Sequence, residues 1–138
     1  MSNKIEVKDL VIGLHKLNSH LFQEAERVVR ESSQLTLTQM LILQASEGDC
    51  QGQDEVAQVL RISQPAVSKQ LLKLIQLNII EPVVTSRRSW KVKLTAVGQS
   101  ELTKAFKAYD DYCKLYFNKL DQTQKKQLNQ ILNILNIS

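Results

Sequence analysis

Between Asp54 and Leu77 two stretches of helical periodicity are separated by only three residues, Arg61, Ile62 and Ser63. The first stretch is expected to turn Val56, Ala57, Val59 and Leu60 inward, and the second to set Val67, Leu71, Leu74 and Ile75 on its inner face. Ser63 suits the N-cap of the second helix, and Pro65 fits the first turn, where a missing N–H costs nothing. Two short helices joined this tightly form a helix-turn-helix, the unit that lays its second helix in a major groove. Burying Val67, Leu71 and Leu74 leaves Gln64, Pro65, Ser68, Lys69 and Lys73 facing outward. Gln64 suits a paired hydrogen bond to adenine, Lys69 suits guanine acceptors or phosphate, and Ser68 suits either a base or the backbone.

The flanking segments are helical too. From Val7 to Glu31, Leu10, Leu14, Leu17, Leu21 and Val28 recur at spacings of three, four or their sum, with Val11, Phe22, Ala25 and Val29 widening the stripe. At ~1.5 Å per residue this helix spans roughly 37 Å, more than a small lobe needs for cover, so part of the stripe is expected to pack on another chain. Thr36 or Thr38 is placed to cap a helix through Met40, Leu41, Ile42, Leu43 and Ala45, which is apolar all round, hence buried, and stopped by Gly48. Thr95 is placed to cap a second long helix, with Leu102, Ala105, Phe106, Tyr109, Tyr112, Cys113, Tyr116, Phe117 and Leu120 along one face. Asp121 and Gln124 have the form of a capping box opening a last helix with Leu128, Ile131, Leu132 and Leu135 inward. Aromatic residues are 5% of the chain against 43% hydrophobic overall, so the core is aliphatic, as packed helices allow. The 138 residues contain no linker-like stretch and read as one domain.

After the second short helix, Ile79 to Val84 and Trp90 to Leu94 flank the polar run Thr85, Ser86, Arg87, Arg88 and Ser89. Pro82 confines the first arm to a sheet edge, and the second arm alternates apolar and basic residues. The expectation is a small β-hairpin with arginines at its tip. Directly after a helix-turn-helix such a hairpin acts as a wing. Arg87 and Arg88 suit the negative potential of a narrow minor groove, while Lys91 and Lys93 suit phosphates. A formal charge of +4 agrees with a polyanionic partner but does not require one.

Other classes are disfavoured. Met1 to Leu10 carries Lys4, Glu6, Lys8 and Asp9 and cannot form the apolar region of a signal peptide, and no segment approaches ~20 uninterrupted apolar residues, so a cytoplasmic protein without a membrane partner is expected. His15 and His20 are five apart on one helix and do not share a face, and the four glycines are scattered rather than gathered in a phosphate loop. Neither an enzyme nor a cofactor nor a metal site is expected. Cys50 and Cys113 lack metal-ligand spacing and read as reduced thiols; acidic Glu47 and Asp49 beside Cys50 oppose thiolate formation.

The order of long helix, Leu37-Thr38-x-Met40 helix, Asp54-Glu55-Val56-Ala57 helix, Ser63 to Leu74 helix, wing, Leu94-Thr95-x-x-Gly98 and two closing helices resembles the MarR family of bacterial transcription regulators over nearly the whole chain. Ser63 to Gln70 is also similar to the recognition helix of LysR-type regulators, whose further ligand-binding domain is absent here. The family's wing commonly carries Asp-x-Arg; this chain has Ser86-Arg87-Arg88 in a shorter wing, and Asn78 where the family usually has Gly. The resemblance implies a mainly α winged helix-turn-helix fold, with dimerisation helices over about 7–31 and 96–138 and a DNA-binding lobe over about 36–95. It also implies a homodimeric repressor on a pseudopalindromic operator, with Ser63, Gln64, Pro65, Ser68, Lys69, Lys73, Arg87, Arg88 and Lys91 toward DNA. A small-molecule effector would then sit near Phe22, Phe106, Tyr109 and Tyr112. The competing expectation is a winged-helix module that binds protein and not DNA.

Overall fold

The computed structural model describes residues 4–47, 52–82 and 92–136. They form six helices: α1 (Val7–Ser32), α2 (Leu37–Glu47), α3 (Gln53–Leu60), α4 (Gln64–Gln76), α5 (Ala96–Phe117) and α6 (Gln122–Leu135). Helix α1 runs along α5, and α2 is the hub, touching α1, α3, α4 and α5. This explains the apolar circumference of α2: Leu37, Met40, Ile42 and Leu43 are all buried, and Leu41 is half-buried. Each such aliphatic side chain taken out of water contributes about 1.5–3 kcal/mol.

Local chemistry sets the helix ends. Thr36 and Gln39 form a capping box on α2, the Gln39 N–H donating to Thr36 Oγ1 at 3.1 Å and the Thr36 N–H to Gln39 Oε1 at 3.0 Å. Ser63 Oγ accepts from the Ala66 N–H at 3.2 Å, and Thr95 Oγ1 from the Gly98 N–H at 2.9 Å. The Asp121–Gln124 box is complete, with bonds of 2.8 and 3.0 Å. Helix α3 stops where Arg61 turns left-handed at φ 56°, and Asn78 does the same at φ 59° just past α4. Asparagine tolerates that conformation better than most residues other than glycine, so the departure from Gly at 78 leaves the turn intact.

Beyond α4 the chain crosses back to α5. Ile80 and Leu94 form an antiparallel bridge, the Glu81 N–H donates to the Lys93 carbonyl at 2.9 Å, and the Thr95 N–H donates to the Ile79 carbonyl at 3.0 Å. This is the base of the expected hairpin. Among the described residues there is the bridge but no extended strand, and the expected tip lies outside them, as does Gly48.

Two expectations need correction. Val59 is 65% exposed rather than inward. Val56, Ala57 and Leu60 centre the buried stripe of this short helix, and Val59 falls nearly a third of a turn from that centre. Helix α6 buries no residue among the described residues: Ile131, Leu132 and Leu135 are exposed and Leu128 only half-buried, because the helix reaches past the core. The first half of α1 is uncovered likewise, with Leu10, Leu14 and Leu17 all exposed.

Candidate nucleic-acid interface

Helix α4 is held on its inner side by Val67, Leu71 and Leu74, all buried. A polar bridge adds direction to this packing. The buried Gln39 side chain of α2 donates from Nε2 to Gln70 Oε1 on α4 at 3.1 Å, while its own Oε1 is spent on the α2 cap. The outer side of α4 carries Gln64, Pro65, Lys69 and Lys73, all exposed. The helix contains no acidic residue. No described carboxylate pairs with Lys69 or Lys73, unlike Lys104, Lys107 and Lys114, which pair with Glu101, Asp111 and Asp110. Lys69 at mid-helix and Lys73 in the last turn, unpaired with any described carboxylate on a helix without acidic residues, make this outer face suited to an anionic partner.

The remaining expected residues differ in their freedom. The Ser63 hydroxyl oxygen accepts in the α4 cap and retains its O–H donor. Ser68 is half-buried, and its hydroxyl donates to Gln53 Oε1 at 2.6 Å, tying α4 to the first turn of α3; its oxygen retains acceptor capacity. Lys93 at the wing base lies 3.8 Å from Glu81, an exposed pair worth little. Arg87, Arg88 and Lys91 lie outside the described residues. Three further exposed groups belong to this unit: Arg61 in the turn, and Leu72 and Gln76 on α4. An apolar residue at helical spacing reads as core, which is why Leu72 gives no signal in the sequence.

A cavity of about 240 Å³ opens between α1, α2 and α5. Phe22, Tyr109 and Tyr112 line it, with Leu21, Leu41 and Cys113. Phe106 does not; it packs against the core. Burial first, then the neighbouring Cys113, pushes the Tyr109 phenol above its ordinary value, and burial likewise raises Tyr112 and the Cys113 thiol. Cys113 is therefore a packed thiol and not an activated one. The Tyr112 hydroxyl is buried without a hydrogen-bond partner among the described residues. Replacing Tyr112→Phe removes that unsatisfied group and is expected to raise the unfolding free energy by about 1 kcal/mol in urea titration; a fall would show that the hydroxyl is satisfied in solution.

No protein-family model matches this sequence, and no curated protein matches it significantly. Solved structures do match its fold. A MarR/EmrR family transcriptional regulator from Acinetobacter sp. ADP1 superposes with a TM-score of 0.76 at 20% identity, covering 95% of each chain. The transcriptional regulator BldR from Sulfolobus solfataricus gives 0.75 at 18% identity over 96% of this chain and 99% of its own. A Mycobacterium tuberculosis MarR family protein in complex with p-aminosalicylic acid gives 0.70 at 20% identity over 95% and 98%. With the cap-stabilised helix pair, the free cations of α4 and the long α1–α5 packing already in place, these superpositions mean that the chain has the fold of the MarR family transcription regulators.

Proposed function

We propose that this protein is a transcription regulator that binds double-stranded DNA in a sequence-specific way and catalyses no reaction. The observation that carries the reading is the outer face of α4, with Gln64, Lys69 and Lys73 exposed on a helix free of acidic residues and clamped to the core behind it. Gln64 and Lys69 read base edges, Lys73 meets phosphate, and Arg87, Arg88 and Lys91 form the wing's contribution. The protein acts in the cytoplasm as a repressor; no helix among the described residues is long and apolar enough to cross a membrane.

The functional unit is a homodimer, with helices over about 7–31 and 96–138 as its stem and residues over about 36–95 as its DNA-binding lobe. Support comes from the exposed leucines of α1 and the apolar stripe of α6, which nothing among the described residues covers. Two-fold symmetry then places half-sites about 10 bp apart. Charging α6 with Ile131→Asp and Leu132→Asp together is expected to convert the dimer into a 15.7 kDa monomer in sedimentation; an unchanged dimer would remove α6 from the interface. The cavity between α1, α2 and α5 accommodates a small effector, a role supported by the p-aminosalicylic acid held by the Mycobacterium tuberculosis neighbour.

The deciding experiment is fluorescence anisotropy of the purified protein on the DNA upstream of its own gene and on a random duplex of equal length, across a salt series. Tighter binding upstream, weakening steeply as salt rises, is the expected result. A folded dimer that binds neither duplex at low salt would overturn the reading and leave a protein-binding module.

A further inference from the structure

Resting on the DNA-binding reading above, we propose that Leu72 is a specificity-determining residue that recognises the C5-methyl group of a thymine in the major groove.

Leu72 is 62% exposed, yet it does not stand at the margin of its helix. At 100° per residue, Pro65, Lys69, Leu72 and Gln76 fall within about 60° of one another, on the side opposite buried Val67 and Leu74. In homeodomains, a helix-turn-helix variant, the recognition helix addresses bases through residues spaced i, i+3, i+4 and i+7. Counted from Pro65, that spacing falls on Ser68, Lys69 and Leu72. The fourth reading position is therefore occupied by an aliphatic side chain with neither donor nor acceptor.

The surroundings identify what it meets. Leu72 adjoins Lys69 on the outer face of a helix with no carboxylate, so a partner that covers it carries negative charge beside an apolar spot. Within the major groove the edges of guanine, cytosine and adenine present only donors and acceptors, and thymine alone presents a methyl group. A buried Leu–methyl contact is favourable at thymine, whereas a polar base edge opposite Leu72 loses its water without recompense. Discrimination follows from both halves of that comparison.

The test uses duplexes enriched by the intact protein from a random pool, in which each thymine is replaced in turn by deoxyuridine, removing one methyl group and nothing else. At one thymine position per half-site the wild type is expected to lose about fourfold in affinity, the equivalent of one buried methyl. Leu72→Ala, which removes an exposed side chain and leaves the core untouched, should bind the thymine and deoxyuridine duplexes equally. Leu72→Met should retain the preference, and Lys69→Ala should weaken both duplexes while keeping their ratio. If Leu72→Ala preserves the wild-type ratio, or if no thymine responds, the assignment to Leu72 is overturned while DNA binding stands. If no duplex is enriched at all, the DNA-binding reading falls and this one with it.

Discussion

Alanine at position 98 is expected to destabilise the protein by about 3 kcal/mol, seen as a drop in thermal midpoint on the order of 10 °C. Ordinary helix propensity predicts the opposite sign, since Gly→Ala inside a helix gains up to about 1 kcal/mol. Here the backbone decides. A Cβ at Gly98 would stand 1.9 Å from the Ile79 carbonyl oxygen, 2.8 Å from its carbon and 3.2 Å from its Cα. None of these atoms can yield cheaply: the Ile79 N–H is bonded to the Leu74 carbonyl and its oxygen accepts the Thr95 N–H, while the Thr95 hydroxyl holds the adjoining Asn78 carbonyl at 2.5 Å and lies 3.2 Å from the Ile79 oxygen. Moving Ile79 aside would open the joint between the end of α4, the wing base and the start of α5. Gly13 serves as the control, because a Cβ there meets nothing within 4 Å; Gly13→Ala should stabilise slightly. If calorimetry shows both alanine variants shifting in the same direction, the close approach at Gly98 is not what fixes that joint.

The second large effect concerns binding. On the proposed reading, Lys69→Glu should reduce affinity for the upstream duplex by about 100-fold or more at physiological salt, because an exposed cation on the outer face of α4 becomes a repelled anion. Lys69→Ala should act more mildly and lower the salt slope by about two, one unit per subunit of the dimer. Position 69 is exposed and forms no ion pair with a described residue, so neither change disturbs the core. Lys107→Glu supplies the comparison: that lysine lies on α5, 2.9 Å from Asp111, and its reversal should leave DNA binding nearly unchanged. Anisotropy titrations of the three variants against salt check all of this. Equal losses for Lys69→Glu and Lys107→Glu would mean that net charge, rather than the α4 surface, governs association.

What could be read from the sequence depended on whether a feature was local. The N-caps at Thr36, Ser63, Thr95 and Asp121 and the left-handed Asn78 are settled within a few residues of themselves, and they appear where their chemistry places them. Periodicity also located the inner face of α4, and the apolar circumference of α2 marked that helix as buried. It misjudged Val59, since in eight residues a stripe centred on Val56 and Ala57 and one that includes Val59 are hard to tell apart. It overlooked Leu72 for a related reason: the pattern records that a residue is apolar, not which side of the helix its neighbours have claimed. The Leu94 to Gly98 stretch carried the resemblance without its cause; the cause is a contact with Ile79, nineteen positions away from Gly98, which no local pattern contains. Ser68 was assigned to DNA alone because its partner, Gln53, sits on the neighbouring helix.

The amide bridge between Gln39 and Gln70 carries a consequence for fidelity. Aliphatic surfaces resist separation but permit rolling, and a roll of 20° about the axis of α4 would carry a group about 8 Å out through about 3 Å, the difference between one base edge and the next. A hydrogen bond resists that motion because it is directional, and inside a protein it is the stronger for the lack of water. Gln39 has its other end fixed in the cap of α2, so the pair works as a key in a slot. The rotational setting of α4 is thus tied to α2, whose Leu37 and Leu41 form part of the cavity wall.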